Sequence, residues 1–146
     1  MNLKLEPFDS ALLRKRCEPV TDIETQVKPY YKQMNAIMRE PRNGISGVGL
    51  AAPQVGILWR FFVFAPHGIP MTCVNPSIGM HSEELETGIE GCLSKPGFTV
   101  GVKRRAWIVA DWTDEKGKGY GRKLEGRVAR IFQHEIDHLN GINIFP

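Results

Sequence analysis

The chain has 146 residues and a formal net charge of +3, a length that suits one catalytic domain over residues 1–146 with a hydrophobic core. Fifteen glycines and ten prolines indicate many turns and favour a mixed α and β fold over a helical bundle. No apolar run approaches the roughly 18 residues of a membrane-spanning helix. The three cysteines are typical of free thiols in a reducing cytosol, and the N-terminus carries no signal-peptide pattern, so we expect a cytoplasmic protein without a membrane partner.

The N-terminal part of the chain is predicted to be irregular up to residue 20, apart from a helical turn near residues 10–16. A helix should then begin near residue 21 and end before Gly44. Pro29 either kinks this helix or marks where its regular part begins. The side chains expected to face the core recur at helical spacing, and they are Val27, Tyr30, Met34, Ile37 and Met38.

Residues 44–56 form a segment dense in glycine and other small residues. A phosphate-binding loop is excluded, because neither a Gly-Lys-Ser/Thr ending nor G-x-G-x-x-G spacing is present. We expect these glycines to let the backbone pass close to a ligand or to another strand. Within the segment, the side-chain amide of Gln54 can donate a hydrogen bond to a reacting oxygen.

Three later runs read as β-strands, at residues 59–64, 73–78 and 105–112. A hairpin-like turn should follow the third run at residues 113–121. Between the second and third runs, residues 90–97 (EGCLSKPG) are predicted to interrupt the strand pattern with a tight, glycine-flanked segment.

The last predicted element is a helix from about residue 126 to Leu139, which Gly141 is well placed to terminate. It contains an H-E-x-x-H pattern, with His134 and His138 one turn apart on the same face. Two such imidazoles can bind one metal ion, with Glu135 beside them to take a proton from water. The alternative is an amphipathic helix with two exposed histidines.

A third metal ligand must come from upstream, because residues 139–146 contain no His, Cys, Asp or Glu. Cys92 is the preferred candidate, since a thiolate binds Zn²⁺ or Fe²⁺ strongly. His67 and His81 remain alternatives on the residues alone. An acidic cluster is a fourth candidate, and it comprises Glu83, Glu84 and Glu86.

Three separated stretches resemble the three signature motifs of the peptide deformylases, in the family's order. They are residues 47–54 (GVGLAAPQ), residues 90–94 (EGCLS) and residues 133–138 (QHEIDH). The resemblance implies an α+β fold in which antiparallel β-sheets pack around a central C-terminal helix carrying H-E-x-x-H, with one N-terminal helix. It also implies a metal-dependent hydrolase that removes the formyl group from the N-terminal formyl-methionine of newly made polypeptides and releases formate.

The resemblance further implies which residues form the metal site. One divalent ion is expected, bound by Cys92, His134 and His138, with Fe²⁺ as the native metal and Zn²⁺, Ni²⁺ or Co²⁺ as alternatives. A water molecule would complete this open, catalytic type of site. The residues implied in catalysis are Glu135 as the proton acceptor, and the Gln54 amide and Leu93 backbone N–H as donors to the developing oxyanion.

Further residues are implied in substrate binding and support. The apolar pocket for the methionine side chain has Val48, Ile89 and Ile131 as candidates, and Gly49 should pair through its backbone with an extended peptide. Glu90 and Arg104 would form a supporting ion pair, the alternative being two unrelated surface charges. Asp137 either orients an imidazole or an arginine, or is a helix-surface charge.

The chain departs from many bacterial members by ending five residues after Gly141, where they continue into a C-terminal extension. Transient ribosome contact is therefore expected by a route that uses no C-terminal helix. Such short forms resemble those of some bacteriophages, so the expected location is the bacterial cytoplasm, or the host cytoplasm for a phage protein. Basic residues concentrate after residue 100, but a solvated basic face explains them, and no specific nucleic-acid partner is expected.

Two rival functions fit the H-E-x-x-H helix less well. An ordinary zinc endopeptidase takes its third ligand downstream of the second histidine, where this chain offers none. A metal-stabilised domain without catalysis would favour four protein ligands and gives Glu135 no role.

Overall fold

The computed structural model describes residues 2–42, 44 and 46–145. Within these residues the α-helices are α1 (Ile23–Gln26), α2 (Tyr31–Arg39) and α3 (Gly126–Leu139), and short 3₁₀ helices occupy Ala11–Arg14 and Ala52–Val55. The strands are β1 (Gly49–Ala51), β2 (Phe61–Phe64), β3 (Met71–His81), β4 (Leu85–Gly91), β5 (Thr99–Arg105), β6 (Trp107–Thr113) and β7 (Gly119–Glu125). In the described part of the chain, no helix has the length and apolar composition needed to cross a membrane.

Five of the strands form one antiparallel sheet in the order β1-β2-β3-β6-β7. Because side chains alternate along a strand, the fully buried β2 serves both faces of this sheet. Phe61 and Val63 belong to the apolar cluster that includes α2. Phe62 and Phe64 pack edge-on against Phe132 of α3, with ring centroids 5.1 and 6.0 Å apart. The sheet thus separates α2 from α3.

The helix predicted at the C-terminus is confirmed, with bounds of Gly126 and Leu139. It ends as expected at Gly141, whose left-handed φ of 76° lets the Ile142 N–H bond back to the Asp137 carbonyl. Most of its residues are buried, because α3 contacts the large sheet on one side and β5 on the other. The expected arrangement of antiparallel sheets around a central C-terminal helix is therefore present.

The N-terminal helix predicted as one element is two. Pro29 lies between α1 and α2, and the regular helix begins only at Tyr31, because proline has no N–H for an intrahelical bond. Val27, Met34 and Met38 are fully buried, as their spacing predicted.

A second sheet, formed by β4 and β5 alone, was missed by the sequence prediction. Glu90 and Gly91 do not interrupt the strand pattern, since they are the last two residues of β4, and the tight segment starts only at Cys92. The buried residues of this sheet are Glu90 and Arg104, which are charged. The apolar alternation is limited to Val100 and Val102 of β5, which is too short a run to identify these strands from the sequence.

Candidate metal centre and active site

Three predicted ligands from distant parts of the chain meet on the inward face of α3. The ligand atoms of Cys92, His134 and His138 all lie within 4.8 Å of one another. Cys92 Sγ is 3.4 Å from His138 Nε2, and the two imidazole rings stand edge to face with centroids 5.0 Å apart. One thiolate and two imidazoles at this spacing fit a divalent transition metal with one position left open.

The other candidate third ligands lie elsewhere. His67 is exposed in the turn after β2, and His81 ends β3 with its Nδ1 2.9 Å from the Ser82 carbonyl. Glu83 and Glu84 are exposed in the turn before β4, Glu86 is exposed on β4, and none of the three joins the group of possible metal ligands among the described residues. The sulfur of Cys92 is thus the upstream donor that the fold brings to the two histidines.

Glu90 fixes the orientation of His134. Its Oε1 lies 2.8 Å from His134 Nδ1, and Arg104 donates to both Glu90 oxygens at 2.9 and 2.8 Å. Burial raises the pKa of Glu90, but the hydrogen bonds from Arg104 and His134 outweigh burial and lower it to about 2. Glu90 is therefore an acceptor-only carboxylate, so Nδ1 of His134 carries the proton and Nε2 is the ring nitrogen left for a metal.

Two arginines complete this charged network. Arg104 also donates to Asp137 of α3, a contact that fits the expectation that Asp137 orients an arginine. Arg130, which the sequence reasoning missed, donates to Glu90 Oε2 at 2.7 Å. With these contacts Glu90 accepts four hydrogen bonds, which is about the full capacity of a carboxylate.

Glu135 is the buried carboxylate of the site that has no such partners. Only 3% of its surface is exposed, and among the described residues its Oε1 finds no hydrogen-bond donor. Burial raises the pKa of Glu135 to about 7. A carboxyl group that titrates near neutrality can both accept and return a proton.

The two histidines differ in their proton affinity. Burial lowers the pKa of His138 to about 3, so this ring is neutral, as a metal ligand must be. Burial also lowers the pKa of His134, but hydrogen bonds to Cys92 and Glu90 outweigh it and raise that pKa to about 10. Metal binding at His134 would therefore release a proton.

The Gln54 side chain is almost fully buried beside Cys92. Its Oε1 accepts from the Ala51 N–H at 2.8 Å, and its Nε2 donates to Cys92 Sγ at 3.2 Å and to Ser94 Oγ at 3.0 Å. Gln54 does not itself line the cavity formed by the described residues, whereas Leu93 does. The hydrogen bond that Gln54 donates to Ser94 was not predicted, because nothing in the sequence pairs positions 54 and 94.

A cavity of about 730 Å³ opens in front of Glu135 and His134. All four predicted substrate-binding residues line it, namely Val48, Gly49, Ile89 and Ile131. The volume lies within the range of small-molecule ligand pockets. The site thus combines a metal-binding set, a buried proton acceptor and an adjoining cavity.

The family model for polypeptide deformylase matches residues 3–146 of the chain. The chain belongs to the peptide deformylase family. A peptide deformylase of Thermotoga sp. (strain RQ2) is 40% identical over 141 residues, which are 97% of this chain and 84% of that protein. The crystal structure of the Thermotoga maritima peptide deformylase superposes with a TM-score of 0.90 at 40% identity, covering 99% of this chain and 95% of that one.

A probable peptide deformylase from Synechococcus phage S-SSM7 has a similar structure, with a TM-score of 0.85 at 38% identity, covering 97% of this chain and 96% of that one. The fold and the activity expected from the three motifs are confirmed. The chain is a metal-dependent hydrolase that removes the formyl group from an N-terminal formyl-methionine.

Proposed function

We propose that Cys92, His134 and His138 hold one divalent metal ion, Fe²⁺ in the native enzyme, and that Glu135 is the proton carrier of the deformylation reaction. The observation that carries this proposal is the meeting of three ligand atoms within 4.8 Å beside the buried Glu135, whose Oε1 has no hydrogen-bond partner in the described part of the chain. Zn²⁺, Ni²⁺ and Co²⁺ suit the same thiolate and imidazole donors.

A bound divalent ion would lower the pKa of a water molecule towards neutrality and polarise the formyl oxygen. Glu135 accepts a proton from that water, as its pKa of about 7 allows. The water oxygen bonds to the formyl carbon, and the carbon–nitrogen bond then breaks. Glu135 passes its proton to the departing amine of methionine, and formate leaves.

Negative charge on the former formyl oxygen would be stabilised by two donors near Cys92. Leu93 offers its backbone N–H, and Gln54 offers the side-chain N–H that points to Cys92 Sγ at 3.2 Å. The second N–H of Gln54 is held by Ser94 at 3.0 Å. Removing one oxyanion donor typically costs about 10²–10³ in kcat, so Gln54→Ala should approach the severity of a ligand substitution.

The methionine side chain of the substrate is proposed to enter the cavity between Val48, Ile89 and Ile131. Gly49 lies on β1, an edge strand of the large sheet, and so has backbone groups available to pair with an extended peptide. Backbone pairing recognises any sequence beyond the first residue, which suits a substrate class as varied as new polypeptides.

We further propose that residues 1–146 act as one catalytic domain in a bacterial cytoplasm, or in the host cytoplasm for a phage protein. Contact with the ribosome would be transient. Cosedimentation of the loaded enzyme with ribosomes at low and physiological salt tests this contact.

The catalytic proposal is tested by formate release from formyl-Met-Ala-Ser with iron- or nickel-loaded enzyme. Glu135→Gln should bind the metal stoichiometrically and lose about 10²–10⁴ in kcat, and Cys92→Ser should weaken metal binding. Unformylated peptide and casein serve as control substrates. A Glu135→Gln variant with wild-type turnover, or comparable cleavage of casein, would refute the assigned roles.

A further inference from the structure

The small β4–β5 sheet is attached to α3 by polar side chains and not by an apolar core. Its buried members are Glu90 and Arg104. Four residues of α3 at helical spacing form hydrogen bonds to this sheet. They are Arg130, Gln133, His134 and Asp137. Since β4 also lines the substrate cavity, these polar contacts set the position of the cavity wall.

Arg130 makes the widest connection of the four. Its Nη1 donates to Glu90 Oε2 at 2.7 Å and to the Val102 carbonyl on β5 at 2.8 Å. Its Nη2 donates to the Glu86 carbonyl on β4 at 2.7 Å. One planar guanidinium therefore joins α3, both strands of the small sheet and the carboxylate that orients His134.

Gly88 of β4 leaves room for this guanidinium. A Cβ built on Gly88 would lie 2.8 Å from both Cζ and Nε of Arg130, closer than real Cβ atoms come to other atoms. The backbone of β4 thus rests directly on the arginine, and a side chain at position 88 would push the two apart.

We infer that Arg130 is a positioning residue. Through its contacts, the position of the cavity wall formed by β4 and the orientation of the metal ligand His134 depend on each other. On one side it holds β4 and β5 through their carbonyls. On the other it occupies Glu90 Oε2, so that Oε1 stays aimed at His134 Nδ1, 2.8 Å away. The inference rests on the proposed role of His134 as a ligand.

The first test compares Arg130→Met with Arg122→Met, which removes an exposed arginine of β7 outside the cavity. Nickel-loaded enzymes are challenged with a chelator, and KM and kcat are measured on formyl-Met-Ala-Ser where thermal scans show full folding. Loss of a group that orients a metal ligand typically costs 10–100-fold. Since Arg130 acts through Glu90, we expect about tenfold faster metal loss and about tenfold higher KM, with a smaller fall in kcat.

A purely structural role would lower the unfolding temperature but leave metal loss and KM of the folded enzyme unchanged. A rate of metal loss and a KM for Arg130→Met that both lie within twofold of those for Arg122→Met would overturn the inference. Wild-type enzyme without formate release or stoichiometric metal would instead contradict the proposed function, so the two failures are distinguishable.

The second test uses Gly88→Ala, which displaces Arg130 without removing it. This variant should reproduce the faster metal loss and higher KM. Because both substitutions break the same contact, the double variant Arg130→Met with Gly88→Ala should be no worse than Arg130→Met alone. Effects that multiply in the double variant would show independent roles and would also overturn the inference.

Discussion

Gly49 of β1 leaves no space for a side chain next to the proposed proton carrier. A Cβ built on Gly49 would overlap Oε2 of Glu135 and lie 2.9 Å from its Cδ and 3.1 Å from its Cγ. Since real Cβ atoms essentially never come within 3.0 Å of another atom, Gly49→Ala must displace the Glu135 carboxylate or the edge of β1.

The expected effect is larger on turnover than on folding. Glu135 is only 3% exposed, so its carboxylate cannot swing into solvent and must rotate within the site. Misplacing a catalytic group by roughly 1 Å costs about 10²-fold in rate. Overpacking of this kind lowers the free energy of unfolding by about 1–3 kcal/mol. We therefore expect kcat to fall about 100-fold in a chain that still folds and binds metal.

The assay is formate release at saturating formyl-Met-Ala-Ser, together with metal content and urea unfolding. The matched control is Gly119→Ala at the start of β7, where an added Cβ has nothing within 4 Å. This control should keep wild-type kcat. If Gly49→Ala retains more than half of the wild-type kcat with metal bound, the carboxylate position inferred for Glu135 is wrong.

Three further predictions concern stability and are measured by urea unfolding. Arg60→Met should lower the unfolding free energy by about 1–2 kcal/mol, because the Arg60 guanidinium bonds the Leu139 carbonyl at the C-terminus of α3 at 3.0 Å. Gly141→Ala should cost at least about 2 kcal/mol, since residue 141 has a φ of 76° and a Cβ there would lie 2.5 Å from the Arg14 carbonyl oxygen. Asp114→Ala should cost about 1 kcal/mol at pH 7. Burial raises the pKa of Asp114, but backbone N–H groups of the β6–β7 turn outweigh it and lower that pKa, so the wild-type advantage should shrink as the pH falls through the folded-state pKa. Unchanged unfolding midpoints would contradict each assignment.

The sequence predicted the elements whose residues follow an apolar period. The bounds of α3 were correct, because apolar side chains recur every three to four residues and Gly141 ends the pattern. The run at 59–64 corresponds to β2, although the regular strand begins at Phe61. In each case the buried side chains are apolar, and their spacing reflects the geometry of the backbone.

The β4–β5 sheet could not be predicted in this way. Its inward positions hold Glu90 and Arg104, whose burial is stabilised by partners 44 and 14 residues away along the chain. From the sequence alone, a charged residue is predicted to lie on the surface unless its partner is known. Local patterns therefore place Glu90 and Arg104 outside the core. The same reason hid Arg130, which reaches Glu90 across 40 residues. The motif resemblance identified Glu90 and Arg104 as partners. It did not identify Arg130, the second arginine that donates to Glu90.

The buried polar residues of α3 also show which groups the fold leaves free for chemistry. Burying a polar group is costly unless it is hydrogen-bonded, and the fold satisfies most of them. Gln133 exchanges two hydrogen bonds with the backbone of Arg105 at 2.9 and 3.0 Å, and His134 is held by Glu90. Within the described residues, two buried side-chain atoms of α3 have no such bond, Glu135 Oε1 and His138 Nδ1, and the latter is the ring nitrogen opposite the proposed ligand atom Nε2. Because Gln133 and His134 on the same helix are satisfied, packing alone does not explain the unbonded oxygen of Glu135, whereas the proposed proton carrier, which must exchange partners during each turnover, would leave it unbonded.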